Sequence, residues 1–349
     1  MHIGVLTGGG DCPGLNAVIR AVVLTGHEVH GDEFTGFVDG WRGVIDGRSR
    51  PLAPVDVREI LAQGGTILGT SRTNPFADEG DVERVLTSLS KFGIDALVAI
   101  GGDDTLGVAQ RLATLGVHVV GVPKTIDNDL SGTEVTFGFD TAVQIATEAI
   151  DRLQTTAESH HRVIVCEVMG RHAGWIAAYA GIAGGAAEIL VPEIPFDLDE
   201  VCARLTDRHR RGQYSSVVVV SEGSSPRSGP DAEAAARYTS TESVDAFGHA
   251  RLGGIGAWTA SEIERRTGYE SRVTALGHIQ RGGTPTAYDR VLASRFGVAA
   301  VEAVHAGAFT TMVALQAGQI VRVPLEEAVG RPKRVDRSLL TEVAQPLFS

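Results

Sequence analysis

Residues Ile3-Gly4-Val5-Leu6-Thr7-Gly8-Gly9-Gly10-Asp11-Cys12-Pro13-Gly14-Leu15-Asn16 carry the reading that decides the fold. A short apolar run, Ile3–Leu6, stops at three consecutive glycines; Leu15, Val18, Ile19 and Val22 then recur at the spacing of one helix face. The order is buried strand, glycine loop, helix. In such a setting glycines let backbone N–H groups approach an anion, and the helix N-terminus adds partial positive charge. The stretch matches neither G-x-G-x-x-G nor the Walker sequence, so taken alone the loop reads either as a phosphate cradle or as a plain tight turn.

The same design recurs downstream. Leu97–Ile100 runs into Gly101-Gly102 and Val217–Val220 into Glu222-Gly223, while further apolar runs occupy Val117–Val122, Val163–Val168, Ile189–Val191 and Arg272–Leu276. Helical spacing lies between them, as at Ala142, Ile145, Ala146, Ala149, Ile150 and Leu153. Alternating strands and helices predict an α/β fold with mostly parallel sheets covered on both faces. A chain of 349 residues admits about two domains. A boundary falls near Gly138–Thr141, where a strong helix follows a dense polar loop, and the Ser-, Pro-, Glu- and Asp-rich stretch Ser224–Ala246 reads as a long surface excursion.

Composition narrows the classes. The 43 glycines among 349 residues exceed ordinary usage of roughly 7%, in keeping with many places where backbone approaches a ligand. A net charge of −12 argues against a nucleic-acid binder that relies on a basic footprint. Cys12, Cys166 and Cys202 lack paired or zinc-type spacing and read as reduced cytoplasmic thiols. The first residues lack a basic region followed by a long apolar core, so no signal peptide is expected. The uncharged stretch Ala173–Ala187 is too short to span a bilayer, so no membrane association is expected either.

Three polar loops should meet at one sheet edge. Beside the glycine loop stand Gly101-Gly102-Asp103-Asp104-Thr105 and Pro123-Lys124-Thr125-Ile126-Asp127-Asn128-Asp129. Carboxylates at the carboxyl end of a parallel strand lie where α/β sheets bind ligands, and one of the pair Asp103 and Asp104 suits Mg²⁺ carrying phosphate oxygens; a helix cap is the bland alternative. Asp127 or Asp129 suits a base that takes a proton from a hydroxyl. Glu167–Gly174, Ser221–Gly223 and Arg272–Gly283 repeat the pattern of strand, glycine and charge, and arginine forks suit a phosphate.

Taken in order, these segments resemble the phosphofructokinases. The resemblance rests on Gly8–Gly14, Pro123–Asp129, Met169-Gly170-Arg171 and Gly277–Asp289, the last including Thr284-Pro285 and Tyr288-Asp289. It implies two similar three-layer α/β/α domains with the active site in the cleft between them. The first would span 1–138 with part of 250–305, the second 139–250 with part of 306–349. It further implies Mg²⁺-dependent phosphorylation of the 1-hydroxyl of fructose 6-phosphate. Asp127 would be the base, Asp103 would hold the metal, and Gly9 and Gly10 would cradle the donor. Thr125, Met169, Gly170, Arg171 and Glu222 would position the sugar; Arg162, Arg272, His278 and Arg281 would hold its 6-phosphate, Arg162 coming from a neighbouring subunit of a homodimer or homotetramer.

Two positions bear on the donor. By the resemblance, ATP-using members commonly carry Gly at the positions of Asp104 and Lys124. A carboxylate at Asp104 sets volume and negative charge where the α-phosphate and ribose of ATP must pass, whereas pyrophosphate ends before reaching it. Lys124 adds a cation for the transferring group and the leaving phosphate. The pair resembles pyrophosphate-dependent members. An ATP-dependent enzyme, a non-catalytic sugar-phosphate sensor and a plain Asp104–Lys124 salt bridge are the alternatives.

Overall fold

The computed structural model describes residues 1–239, 247–248 and 253–348. The chain divides into two compact units: Met1–Thr141, Asp245–His249 and Arg281–Pro332 form the first, and Ala142–Val244, Ala250–Gln280 and Lys333–Ser349 the second. One division point lies inside the helix Phe139–His160.

In chain order the strands are β1 His2–Thr7, β2 Glu33–Phe37, β3 Ser49–Leu52, β4 Ala96–Gly101, β5 Val119–Pro123, β6 Val163–Val168, β7 Glu188–Leu190, β8 Ser216–Ser221, β9 Ser271–Ala275, β10 Thr311–Gln316 and β11 Gln319–Pro324. The first unit holds a sheet ordered β11-β10-β5-β4-β1-β2-β3, the second a sheet ordered β7-β8-β6-β9. Pairing is parallel throughout the second sheet and through the middle of the first. The expected α/β architecture is therefore what the chain adopts.

Burial explains the parallel interior. Every residue of β4, β5, β6 and β8 is buried, as strands covered on both faces require. In the first unit Leu6, Leu97 and Ala99 pack with Phe37, Trp41, Leu106 and Leu112; in the second, Val163, Val165, Val218 and Val220 pack with Leu198, Leu205, Trp258 and Ile263. The margins of the first sheet are antiparallel. β3 carries Arg50 and Pro51 on its edge, which blunts further pairing. β10 turns into β11 through Ala317 and Gly318, both left-handed, the backbone that a two-residue hairpin needs.

One expectation gains an element. The stretch read as a surface excursion contains a helix, Pro230–Thr239, started by Pro at its first position and filled by Ala and Glu. Residues 240–246 of that stretch lie outside the described residues.

Strand order positions the loops. In the first sheet β2 and β3 lie on one side of β1, and β4 and β5 on the other, so the connections after β1 and β4 diverge and open a crevice at their carboxyl ends. In the second sheet β6 holds the comparable place, with β8 and β7 on one side and β9 on the other.

A buried carboxylate fixes the start of Phe139–His160. Asp289 is fully buried, and its Oδ2 accepts from Thr141 N at 2.8 Å and Thr141 Oγ1 at 2.5 Å. Burial pushes its pKa up to about 6, against the pull of those hydrogen bonds. The folded state takes up this proton as pH falls through about 6, the unfolded state only near 4. The group's contribution is therefore fully present below the unfolded value and is lost as pH rises through the folded one. Thermal unfolding of Asp289→Ala should show a loss of about 2 kcal/mol from the stranded Thr141 groups, with a deficit that widens as pH is lowered from 7.5 to 5. A deficit independent of pH would remove the buried-acid assignment.

Candidate functional site

In the first unit the glycine loop is braced from two sides. Gly8 N donates to Ile100 O at 2.9 Å and Gly9 N to Ser71 O at 3.1 Å, while the Thr70 hydroxyl donates back to Gly9 O at 2.7 Å. Thr7 Oγ1 donates to Gly69 O at 2.7 Å. The buried Asn16 amide donates to the carbonyls of Gln63 and Gly64 and accepts from Ile67 N at 2.8 Å. Residues Gln63–Ser71 thus run along the loop as a strap. The sequence reading missed it, although Gly64-Gly65-Thr66-Ile67-Leu68-Gly69-Thr70-Ser71-Arg72, glycine-rich and without helical or strand periodicity, was a signal.

Two cations close on the loop. Lys124 is only 3% exposed; its N–H donates to Gly101 O at 2.9 Å and its ammonium donates to Gly10 O. Burial pushes the ammonium below its ordinary pKa, as does the Arg281 guanidinium, while Asp11 and Asp127 act in the other direction. Arg281 Nη1 donates to Asp11 O at 3.3 Å. Its guanidinium fills the space over Gly10, where a Cβ would come within 1.9 Å of Nη1. A side chain at position 10 would have to displace that guanidinium, the movable end of Arg281. Arg281, expected with the sugar 6-phosphate, belongs with the donor loop in this unit.

The carboxylates gather next to these cations. Asp103 and Asp104 form the first turn of the helix Asp103–Ala113, whose cap is Gly102 and carries no side-chain bond. Neither aspartate is therefore the N-cap, and both sit where the helix dipole favours negative charge. Asp103 Oδ1 accepts from Gly330 N at 2.7 Å. Beyond β5, Asp127 N donates to Thr125 Oγ1 at 3.1 Å, and Asn128, left-handed at φ 50°, accepts from Thr136 N at 3.1 Å. Burial, then the charge of Asp127, push Asp129 up to about 7, and Asp103 adds to the repulsion. The three aspartates thus sense one another, although among the described residues no group of three His, Cys, Asp or Glu is close enough to hold a metal ion unaided.

The second unit assembles the remaining residues in two places. Met169, Gly170 and Arg171 follow β6, Glu222 follows β8, and His278 follows β9, so three adjacent parallel strands deliver them to one sheet end. Gly170 takes φ 135°, a backbone that side chains rarely adopt, and its carbonyl accepts from Ser221 Oγ at 2.6 Å and Gly223 N at 3.0 Å. The fully buried Gln280 accepts from Met169 N at 3.4 Å and donates to Gly277 O at 3.2 Å, tying the loop after β6 to the turn carrying His278. Gln280 is a second residue that the sequence reading passed over.

Arg162 and Arg272 lie elsewhere. Arg162 precedes β6, and its Nε meets Glu270 Oε2 at 2.8 Å; Arg272, near the start of β9, meets the same carboxylate. Between Arg162 and Met169 runs the whole of β6, six residues or about 20 Å. The structure therefore joins Arg162 to Arg272 through Glu270 and separates this pair from Arg171, Glu222 and His278 of the same chain.

Comparisons with known proteins agree with these features. The family model described as Phosphofructokinase matches residues 2–304. A pyrophosphate--fructose 6-phosphate 1-phosphotransferase of Amycolatopsis methanolica is 62% identical over 96% of both chains. An ATP-dependent 6-phosphofructokinase 2 of Streptomyces coelicolor is 54% identical over 100% of both. Among solved structures, a pyrophosphate-dependent phosphofructokinase from Marinobacter aquaeolei superposes with a TM-score of 0.80 at 25% identity, covering 100% of this chain and 91% of that one.

The carboxylate cluster makes its own prediction. In a carboxyl-carbon NMR titration Asp129 should titrate near pH 7, and Asp127→Asn should lower that midpoint by removing the neighbouring negative charge. An unchanged midpoint would show that burial alone is responsible.

Proposed function

The chain belongs to the phosphofructokinase family, and we propose that it transfers a phosphoryl group from pyrophosphate to the 1-hydroxyl of fructose 6-phosphate, giving fructose 1,6-bisphosphate and phosphate, as a reversible step of glycolysis in the cytoplasm. The observation that carries the donor reading is the buried Lys124 ammonium held on Gly10 O, with Asp104 half-buried in the adjoining helix turn. The 62% identical relative from Amycolatopsis methanolica, a pyrophosphate--fructose 6-phosphate 1-phosphotransferase, supports the same donor over ATP. Among the described residues no helix is long and apolar enough to cross a membrane.

Phosphoryl transfer needs position and charge compensation more than covalent chemistry. The glycine loop offers a backbone N–H at Gly10, that of Gly9 being engaged by Ser71 O; Lys124 supplies a buried cation to the transferring group, and Asp104 denies the path of a nucleotide. Asp127 takes the proton of the 1-hydroxyl. Thr125, Met169, Gly170, Arg171 and Glu222 orient the sugar, with His278 toward its 6-phosphate, while Arg281 stands at the donor loop against Asp11 O.

The donor set fits Mg²⁺. Asp103, Asp127 and Asp129 offer only hard oxygen ligands, and the charges of Asp127 and Asp103, which add to burial in raising the pKa of Asp129, are what a divalent cation relieves. Such an ion keeps water and takes phosphate oxygens, so one or two carboxylates suffice; Asp103 is the residue assigned to it. When bound it neutralises phosphate charge.

The strand β6, about 20 Å long, lies between Arg162 and the loop that carries Arg171, more than the length of one sugar phosphate. This supports a homodimer or homotetramer in which Arg162, and with it Arg272, serves a neighbouring copy's 6-phosphate. A monomer fully active at assay dilution would remove that role.

With fructose 6-phosphate and Mg²⁺ present, kcat/KM for pyrophosphate should exceed that for ATP by orders of magnitude, and Asp104→Gly should narrow the ratio. A preference for ATP would overturn the donor while leaving the family intact; turnover with neither would favour the sensor. Asp127→Ser should lower kcat by orders of magnitude with the acceptor KM largely kept.

A further inference from the structure

The loop Met169–Gly174 is held at both ends, and its two anchors differ in kind. The front is fixed by the body of the second unit, through Ser221 Oγ and Gly223 N on Gly170 O and through Gln280 on Met169 N. The back, where Gly174 O accepts from Ala178 N at the start of a helix, is tied to a distant segment by one carboxylate. Gly174 N donates to both carboxylate oxygens of Glu193, at 3.1 and 3.2 Å, and Val335 N donates to Oε1 of the same carboxylate at 2.9 Å. Arg337 Nη2 reaches Glu193 O at 3.3 Å, and the Trp175 indole N–H donates to Lys333 O at 2.9 Å with the Lys333 ammonium 5.3 Å from the ring. A segment far away in sequence, Lys333–Arg337, is thereby strapped to the residue that ends the loop and begins the helix Trp175–Ala183.

Nothing at the back of the loop is spare. Gly174 lies so close to Val191 and Pro192 that a Cβ would approach them to 2.5 and 3.0 Å, so the Glu193 carboxylate sits directly behind the strand exit. Arg171 lies between the two anchors, with its own carbonyl packed on Gly223. Its backbone direction is set only while both ends are held. A carboxylate that receives backbone N–H groups from two chain segments is a stiff joint, because charge-assisted bonds are shorter and stronger than neutral ones.

We propose that Glu193 is a positioning residue for the acceptor: it clamps Lys333–Arg337 to Gly174 and so holds Met169, Gly170 and Arg171 in the posture that receives fructose 6-phosphate. This rests on the reading of that loop as the acceptor loop. Glu193 touches no reacting atom, so its removal should weaken acceptor binding and leave phosphoryl transfer and donor use intact.

The test is a set of full-length variants. Glu193→Gln keeps the size but leaves one good acceptor oxygen for two N–H groups; the acceptor KM should rise about tenfold, with kcat and the pyrophosphate KM within twofold of the parent. Amide exchange at Gly174 and Val335 should accelerate together. Glu193→Asp, which keeps the charge, should recover part of the acceptor KM. Trp175→Phe breaks the indole bond to Lys333 without touching the carboxylate, should raise the acceptor KM in the same direction, and carries the test should the amide variant not fold. Arg171→Ala separates the layers. If it raises the acceptor KM and Glu193→Gln and Trp175→Phe do not, the clamp is refuted and the loop assignment stands. If Arg171→Ala also leaves the acceptor KM unchanged, the loop assignment falls and the clamp with it. A proportional loss of kcat and of both KM values in Glu193→Gln would mark a merely structural residue and overturn the proposal.

Discussion

A buried ammonium resting on one backbone carbonyl organises the donor side of this protein. Lys124 is almost fully removed from water, and the oxygen it reaches belongs to Gly10, the last of three glycines after β1. Burying an ammonium is costly, and its pKa is pushed down even though Asp11 and Asp127 act in the other direction. Arg281 adds a second positive group against Asp11 O, and its guanidinium lies over Gly10. Two cations over a glycine loop suit a polyanion. Asp103, Asp127 and Asp129 make the complementary strain of crowded negative charge. A phosphate donor and a divalent cation relieve both at once, which is why the loop, the cations and the carboxylates belong to one account.

The second unit follows the same geometric rule with different chemistry. Its loops also leave the carboxyl ends of strands flanking a central one, but they present Arg171, Glu222 and His278, groups suited to hydroxyls and a monoester phosphate. Gln280 and Glu193 stand behind these loops and hold their backbone groups. Precision of this sort comes from residues that carry no chemistry of their own, and their loss is felt as misplacement.

Much of this was legible in the residues. Continuous apolar runs ending in glycine announced parallel strands feeding loops, because a strand covered on both faces needs no polar alternation and a loop near an anion needs no side chain. The antiparallel margins escaped: β3 is short and carries Pro51, and the β10–β11 hairpin uses Ala317-Gly318 where Asn-Gly is the usual signal. The helix Pro230–Thr239 was hidden by the Ser and Pro around it. The strap Gln63–Ser71 has no periodicity to read, since its structure comes from bonds to Thr7, Gly9 and Asn16 rather than from its own pattern. Likewise Glu270 and Glu193 act through residues brought near only by folding, and the separation of Arg162 and Arg272 from Arg171 follows from strand direction, which spacing along the chain does not reveal.

The account turns on Lys124 as the cation for the donor, and binding tests it without turnover. Calorimetric titration of Mg²⁺-pyrophosphate into the parent protein and into Lys124→Met, which keeps the length and removes the charge, isolates that one group. A hydrogen bond between charged partners is worth about 1.5–3 kcal/mol, so the dissociation constant should rise by roughly ten- to a hundredfold. Pyrophosphate affinity equal in the two proteins, both folded, would contradict the claim that the buried ammonium on Gly10 O is there to receive the donor.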